Sequence, residues 1–125
     1  MRINCFSHMP NLITRLRHIT HEQDTFTLDR ALRVLVEARV SQLNACGYCL
    51  HLHFREALHR GESQHRLDSL VVWHESPFFD AREKAALAWA DALTMLSVTR
   101  AEESAFAALK FHFSDLEIVE LSLAI

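Results

Sequence analysis

Residues 41–53 have the sequence SQLNACGYCLHLH, and this stretch decides both the fold and the chemistry that the chain can support. It contains a C-x-x-C pair, Cys46 and Cys49, with His53 four residues after the second cysteine. Steps of three, four and seven residues return to nearly the same face of a helix, so a helix here places these side chains on one stripe. Two thiols that can form a disulfide, beside an imidazole that can move a proton, indicate a redox site.

The composition predicts an all-α protein. Hydrophobic residues make up 50% of the 125 residues, and only 2 glycines and 2 prolines are present, so turn formers are scarce. The length suits one core, and we expect a single domain over residues 1–125. Apolar spacing and capping residues predict helices at about residues 10–18, 29–43, 45–59, 63–72, 81–96, 101–111 and from 115 onward.

Signals for helix ends predict where the cysteine pair lies. Asn44 is a good N-cap, so the cysteine helix is expected to begin directly after it, with Cys46 in its first turn. Gly61 predicts the C-terminal stop of the same helix. Asp80 and Ser114, each followed by Glu three residues later, predict capping boxes for two later helices.

Charge and hydropathy exclude two classes of partner. The formal net charge is −3, with basic and acidic residues interspersed, so no basic surface for nucleic acid is expected. The longest apolar runs, such as residues 70–73, are far too short to cross a bilayer, and the N-terminus lacks the apolar stretch of a signal peptide. We therefore expect a cytoplasmic protein, whose 3 cysteines do not form a structural disulfide framework.

The last predicted helix has no stop signal at its C-terminal end. Its apolar residues are Leu116, Val119, Leu121, Leu123, Ala124 and Ile125, where the sequence ends. A bare apolar end is poorly tolerated in a monomer. Either the sequence is cut short after Ile125, or the end is buried against another subunit, so we expect a homo-oligomer.

Two further side chains on the cysteine stripe complete the candidate site, and two alternatives remain open. His53 lies one turn beyond Cys49, and Glu56, three residues later, is expected to hold the other imidazole nitrogen. The first alternative is a buried cysteine pair without chemistry, since Cys is a common core residue. The second takes Cys46, Cys49, His51 and His53 as zinc ligands, although His51 faces away on a helix and no second ligand pair is evident in the sequence.

Residues 39–53, RVSQLNACGYCLHLH, resemble the signature of the alkylhydroperoxidase D (AhpD)-like branch of the carboxymuconolactone decarboxylase family. The similarity continues through residues 61–62, 66–67, 73–79 (WHESPFF), 83–94 (EKAALAWADALT), 113–115 and 118–121. It therefore covers most of the chain. The resemblance implies an AhpD-like multihelical fold and assembly into dimers, trimers or hexamers.

The same resemblance implies a thiol-dependent (alkyl)hydroperoxidase, a peroxiredoxin-type antioxidant oxidoreductase. Family members with the paired cysteines act as peroxidases or disulfide reductases, whereas the lactone decarboxylases proper lack the pair. Cys49 is then expected to attack a small-molecule peroxide, Cys46 to resolve the product and meet an external dithiol reductant, and His53 to relay protons. No cofactor and no metal are expected. The alternatives are a disulfide oxidoreductase with little peroxidase activity, or a non-catalytic redox-sensing or oligomerisation module.

Two arguments bear on which cysteine attacks first, and one position departs from the family pattern. The dipole at the helix start favours Cys46, whereas the i, i+4 spacing to His53 agrees with the resemblance and favours Cys49.

The family usually places a glutamate twelve residues before the first cysteine, a position held here by Val34. We expect Glu37, one turn away, to substitute for it in the proton relay, with Glu56 as the other supporting carboxylate. Family chains also usually continue with a further helical stretch beyond the position of Ile125.

Overall fold

The computed structural model describes residues 3–125, and it confirms the all-α prediction. The helices are α1 (Cys5–His8), α2 (Pro10–Glu22), α3 (Arg30–Leu43), α4 (Gly47–His59), α5 (Gln64–Ser69), α6 (Ala81–Thr94), α7 (Leu96–Thr99), α8 (Glu103–Lys110) and α9 (Asp115–Ala124), with 3₁₀ turns at Gln23–Thr25 and Leu70–Val72. Residues 3–125 contain no β-strand.

Helix α3 is the centre of the structure. The Asp29 side chain caps it by accepting a hydrogen bond from Leu32 N–H, and its apolar face is buried at Leu32, Leu35 and Val36. This face packs mainly against α4 and α6, and α9 covers part of it. Burying one such side chain contributes roughly 1.5–3 kcal/mol, so this contact fixes α4 firmly relative to α3. Both helices carry residues of the candidate site.

The later helices begin as the sequence predicts. Asp80 accepts a hydrogen bond from Glu83 N–H while the Glu83 side chain accepts one from Asp80 N–H, which completes a capping box at the start of α6. Ser114 and Glu117 form the equivalent box at the start of α9. Gly61 has a φ of 93° just beyond α4, a conformation that glycine adopts with little strain, which confirms the predicted stop.

Two predicted boundaries were wrong. Asn44 does not start the cysteine helix: it is the C-cap of α3, its N–H bonding to Val40 C=O, and the N-cap of α4 is Cys46 itself. The first long helix was predicted to end at residue 18, but α2 continues to Glu22 and runs into a 3₁₀ turn. Residues 20–22 are polar and give no apolar signal for this last turn, although Ile19 continues the stripe of Leu12 and Leu16.

The N-terminal helices lie apart from the core. α2 has no buried residue, and its apolar side chains Met9, Leu12, Leu16 and Ile19, counting the residue before it, are about half exposed. On α9, Leu116, Val119 and Leu123 are exposed in the same way, whereas Ile125 packs against the core. None of the helices in residues 3–125 has the length and apolarity needed to cross a membrane.

Candidate active site

The turn between α3 and α4 places the cysteine pair against the end of α3. Ala45 has a φ of 52°, a left-handed conformation that reverses the chain within two residues. The Cys46 N–H then donates a hydrogen bond of 3.0 Å to Ser41 C=O. Because Ser41 is itself buried at the end of α3, this bond fixes the first cysteine beside the α3 surface.

The two cysteines form a disulfide at the start of α4. Cys46 and Cys49 are bonded through their sulfur atoms, with their Cα atoms 5.4 Å apart, inside the separation of about 7 Å expected for a pair that can bridge. Cys46 Sγ also accepts a hydrogen bond of 3.3 Å from Cys49 N–H, so the sulfur itself caps the helix. The positive end of a helix favours negative charge, and this environment therefore suits a thiolate once the disulfide is reduced.

His53 lies one turn further along α4 and faces a carboxylate on α3. Its Nδ1 atom is 3.2 Å from Oε2 of Glu37, at ion-pair distance but without the alignment of a hydrogen bond. The imidazole is about one quarter exposed, and Glu37 is largely buried. A proton on Nδ1 would lie beside this carboxylate, which leaves Nε2 for other partners.

The structure places Glu56 in a different pairing from the predicted one. Arg30 donates to its Oε1 atom at 2.8 Å and Arg60 donates to the same atom at 3.0 Å. Burial raises the pKa of Glu56, but hydrogen bonds from Arg30 and then Arg60 outweigh it and hold the pKa below its ordinary value. The carboxylate within ion-pair distance of the His53 ring, among the residues described, is therefore Glu37 rather than Glu56.

A shallow cavity of about 200 Å³ joins these groups. It is lined by Glu37, Val40, Ser41, Asn44, Cys46, Cys49, His53 and Ala124. Val34, the position where related proteins are expected to carry a glutamate, is fully buried in the core. The structure thus brings Glu37, Cys46, Cys49 and His53 to one cavity and leaves Glu56 beside it, within 4.8 Å of both Glu37 and His53.

The donor atoms of this site are poorly arranged for a metal ion. In the disulfide form the sulfur atoms of Cys46 and Cys49 are bonded to each other, and His51 is exposed on α4, so the four residues of the zinc alternative do not form a site in this state. Glu37, His53 and Glu56 offer one atom each within 4.8 Å. Arg30 and Arg60 both donate to Oε1 of Glu56, so a cation at this cluster would have to compete with two positive charges.

Two arginines that the sequence did not indicate lie near the site. Arg30 pairs with Glu56, and Arg33, which is buried, lies with its Nε atom 3.3 Å from Oε1 of Glu37. The signal that could have shown the second pair is the i, i+4 spacing of Arg33 and Glu37 on the same face of α3.

A protein-family comparison matches residues 9–92 to the carboxymuconolactone decarboxylase family. The chain belongs to this family. The matched region extends from the residue before α2 into α6, and it includes the cysteine pair, His53 and Glu37.

Two bacterial relatives are both uncharacterized proteins. YdfG of Bacillus subtilis (strain 168) is 31% identical over 99 residues, which cover 79% of this chain and 67% of YdfG. YnjA of Escherichia coli (strain K12) is 29% identical over 104 residues, which cover 83% of this chain and 57% of YnjA. The chain therefore spans little more than half of YnjA and about two thirds of YdfG.

A solved structure confirms the AhpD-like fold. The protein ATU0492 from Agrobacterium tumefaciens, of unknown function and a candidate antioxidant defence protein AhpD, superposes with a TM-score of 0.93 and 33% sequence identity. The match covers 98% of this chain and 84% of that protein. The present chain therefore combines the AhpD-like fold with a C-x-x-C pair at the start of a helix.

Proposed function

We propose that this protein is a thiol-dependent hydroperoxidase that reduces small peroxides through Cys46 and Cys49. The observation that carries the proposal is the joining of three groups in one cavity: a C-x-x-C disulfide at a helix start, His53 one turn away, and Glu37 at 3.2 Å from its ring. A candidate antioxidant role of the structurally similar ATU0492 protein agrees with it.

The first step forms a sulfenic acid on Cys49. With both thiols reduced, His53 accepts the Cys49 proton, and the thiolate attacks one oxygen of the peroxide. The S–O bond forms as the O–O bond breaks, and the departing alkoxide takes the proton back from His53 to leave as an alcohol. The negative charge of Glu37 stabilises the protonated imidazole between these transfers.

The second step restores the disulfide that the structure contains. Cys46 attacks the sulfenic sulfur, the S–S bond forms, and the hydroxyl leaves as water after taking one proton. An external dithiol then reduces the disulfide by two thiol exchanges and becomes a disulfide itself, so that two electrons pass from the dithiol to the peroxide. Cys46, half-buried at the N-cap, is our candidate for the sulfur that this dithiol reaches first.

A disulfide oxidoreductase is the second candidate function, and one observation favours it. The Cys46 sulfur already accepts the Cys49 N–H at the helix start, an arrangement that stabilises the thiolate leaving group in disulfide exchange. Such an enzyme would exchange electrons with other disulfides and reduce peroxide slowly.

Steady-state peroxide consumption with an excess of a small dithiol tests the proposal. We expect continuous turnover by the unmodified protein, and loss of turnover in both Cys49→Ser and Cys46→Ser variants. Oxidation of one protein equivalent without turnover would contradict the proposal and support a redox-sensing module. Fast reduction of a disulfide substrate without peroxide turnover would support the oxidoreductase.

We further propose that copies of the chain associate, in a dimer, trimer or hexamer, within the reducing cytoplasm that supplies dithiols. α2 has 13 residues and none is buried, yet a free helix of this length is marginal in water. Its exposed apolar side chains, together with those of α9, support burial against a second copy.

A further inference from the structure

Arg33 approaches the site from within the core. Its side chain is 2% exposed, and its Nε atom lies 3.3 Å from Oε1 of Glu37, one turn further along α3. The other carboxylate oxygen, Oε2, lies 3.2 Å from Nδ1 of His53. Glu37 therefore stands between the two residues, with one oxygen facing each.

The far side of the Arg33 guanidinium is held by the segment before α3. One terminal nitrogen donates to Gln23 C=O, and the other lies 3.4 Å from a carboxylate oxygen of Asp24. The ring of Phe26 lies 5.6 Å from the central carbon of the group. Contacts on several sides leave the planar guanidinium little freedom, and they hold its Nε atom at ion-pair distance from Glu37 Oε1, without the alignment of a hydrogen bond.

Stability alone does not explain why the charge of Arg33 is buried. A buried ion pair generally contributes little more than an apolar pair of the same volume, because desolvation offsets the attraction. Glu37 Oε2 has no hydrogen-bond partner among the described residues, so this carboxylate depends on Arg33 for a compensating charge. Glu56, the neighbouring carboxylate, has Arg30 and Arg60 instead.

We propose that Arg33 is a positioning residue, which holds Glu37 so that its Oε2 atom faces His53 and keeps the proton of the neutral ring on Nδ1. The nitrogen Nε2 is then free to exchange protons at the cysteine pair, since the bond made by one ring nitrogen decides the state of the other. The catalytic meaning of this arrangement rests on the proposed peroxidase function, whereas the position of the proton does not.

Nitrogen-15 NMR of the imidazole tests the proposal without any activity measurement. The spectrum is recorded above the ordinary titration range of imidazoles, where neutral rings dominate. His53 is assigned among the 9 histidines by the signal missing in a His53→Gln variant. We expect the Nδ1–H form to dominate in the unmodified protein and in Arg33→Lys, which keeps the charge, but not in Arg33→Met, which keeps only the stem.

A matched control separates this effect from a general loss of charge. Arg60→Met removes another arginine paired with a carboxylate near His53, but one that does not contact Glu37, and the Nδ1–H form should persist. If Arg33→Met does not fold, Arg33→Gln is the second charge-free variant, and it should also lose the preference for the Nδ1–H form of His53. A retained Nδ1–H form in a folded charge-free variant, or its loss in Arg33→Lys as well, would overturn the proposal.

Kinetics then connect the proton position to turnover. In Arg33→Met or Arg33→Gln, kcat/KM for peroxide should fall by about 10-fold, the lower range for residues that orient a functional group, and Arg33→Lys should recover most of it. If the charge-free variants lose the Nδ1–H form but the unmodified protein does not turn over peroxide, the proposed function is refuted and the role of Arg33 remains. If the unmodified protein turns over peroxide but the charge-free variants keep the Nδ1–H form, the role of Arg33 is refuted and the proposed function remains.

Discussion

Nδ1 of His53 lies 3.2 Å from Oε2 of Glu37, and this contact joins two helices that the sequence separates by the α3–α4 turn. The imidazole lines one cavity together with this carboxylate on α3 and the cysteine pair at the start of its own helix. Family members usually carry a glutamate at the position of Val34. In this chain Glu37, one turn later on α3, lines the cavity that holds the cysteine pair.

Glu37→Gln should slow peroxide reduction more than Glu56→Gln. The amide cannot carry the charge that stabilises protonated His53, so we expect kcat/KM to fall by about 10-fold or more. Glu56 pairs with two arginines beside the cavity, and its replacement should reduce mainly the free energy of unfolding, by roughly 0.5–1 kcal/mol. Peroxide assays and urea unfolding of both variants measure these effects. The reverse order of rates would assign the relay to Glu56.

Ala45→Gly should stabilise the protein. Ala45 has a φ of 52°, and a left-handed conformation costs a residue with a Cβ atom roughly 1–2 kcal/mol. Part of this gain is offset by the greater freedom of glycine in the unfolded chain, so we expect a net increase of about 0.5–1 kcal/mol in urea unfolding.

Gly61→Ala should change the stability in the opposite direction. Gly61 has a φ of 93°, and although no atom lies within 4 Å of an added Cβ, the backbone conformation itself is strained for alanine. Its replacement should lower the free energy of unfolding by about 1 kcal/mol. If both substitutions shifted stability in the same direction, backbone conformation would not be the cause at these turns.

The sequence was sufficient to predict the helices but not every boundary between them. Asp80 and Ser114 were identified as caps because their partners lie three residues away, within reach of local reasoning. Asn44 was misassigned because asparagine suits both ends of a helix, and only its own bond to Val40 C=O in the folded chain shows which end it occupies.

The same limit applies to the candidate site. His53 and the cysteines share one helix, so their spacing predicts that they lie together. The partner of the His53 ring depends on how α3 packs against α4, and helical spacing alone favoured Glu56, which is on the same helix. The i, i+4 spacing of Arg33 and Glu37 is present in the sequence, but the burial of Arg33 and its contacts with residues 23–26 arise only in the folded chain.

Glu120 should make stability depend on pH. Burial raises the pKa of this carboxyl group, but hydrogen bonds from Thr27 N–H and Leu28 N–H outweigh it and hold the pKa below its ordinary value. A group with a lowered folded-state pKa contributes stability above its unfolded pKa and loses it as the pH falls through the folded value. Glu120→Gln should therefore be less stable than the unmodified protein at neutral pH.

Urea unfolding as a function of pH checks this prediction. The two stability curves should approach each other as the pH is lowered through the acidic range, because protonation removes the contribution that the substitution has already removed. Parallel curves throughout that range would contradict the role assigned to Glu120. Asp115 on the same helix also has a pKa below its ordinary value, because of its hydrogen bond from Lys110, but it is exposed, so Asp115→Asn should show a smaller convergence in the same direction.

The apolar residues of α2 should drive self-association. We expect light scattering to give an oligomer at micromolar concentration, and Leu16→Glu to shift it toward the monomer, because Leu16 is about half exposed on the apolar stripe. Thr14→Glu, on the polar side of the same helix, should leave the mass unchanged. A monomeric unmodified protein would contradict this prediction.

Mass spectrometry of the single-cysteine variants tests the central claim most directly. After one equivalent of peroxide, Cys46→Ser should gain one oxygen atom on Cys49, trapped by a reagent selective for sulfenic acids, because no resolving thiol remains beside it. Cys49→Ser should show little or none on Cys46, which lacks His53 one turn away. A sulfenic acid formed only on Cys46, or on neither residue while both thiols are reduced, would contradict the assignment of Cys49 as the attacking thiol.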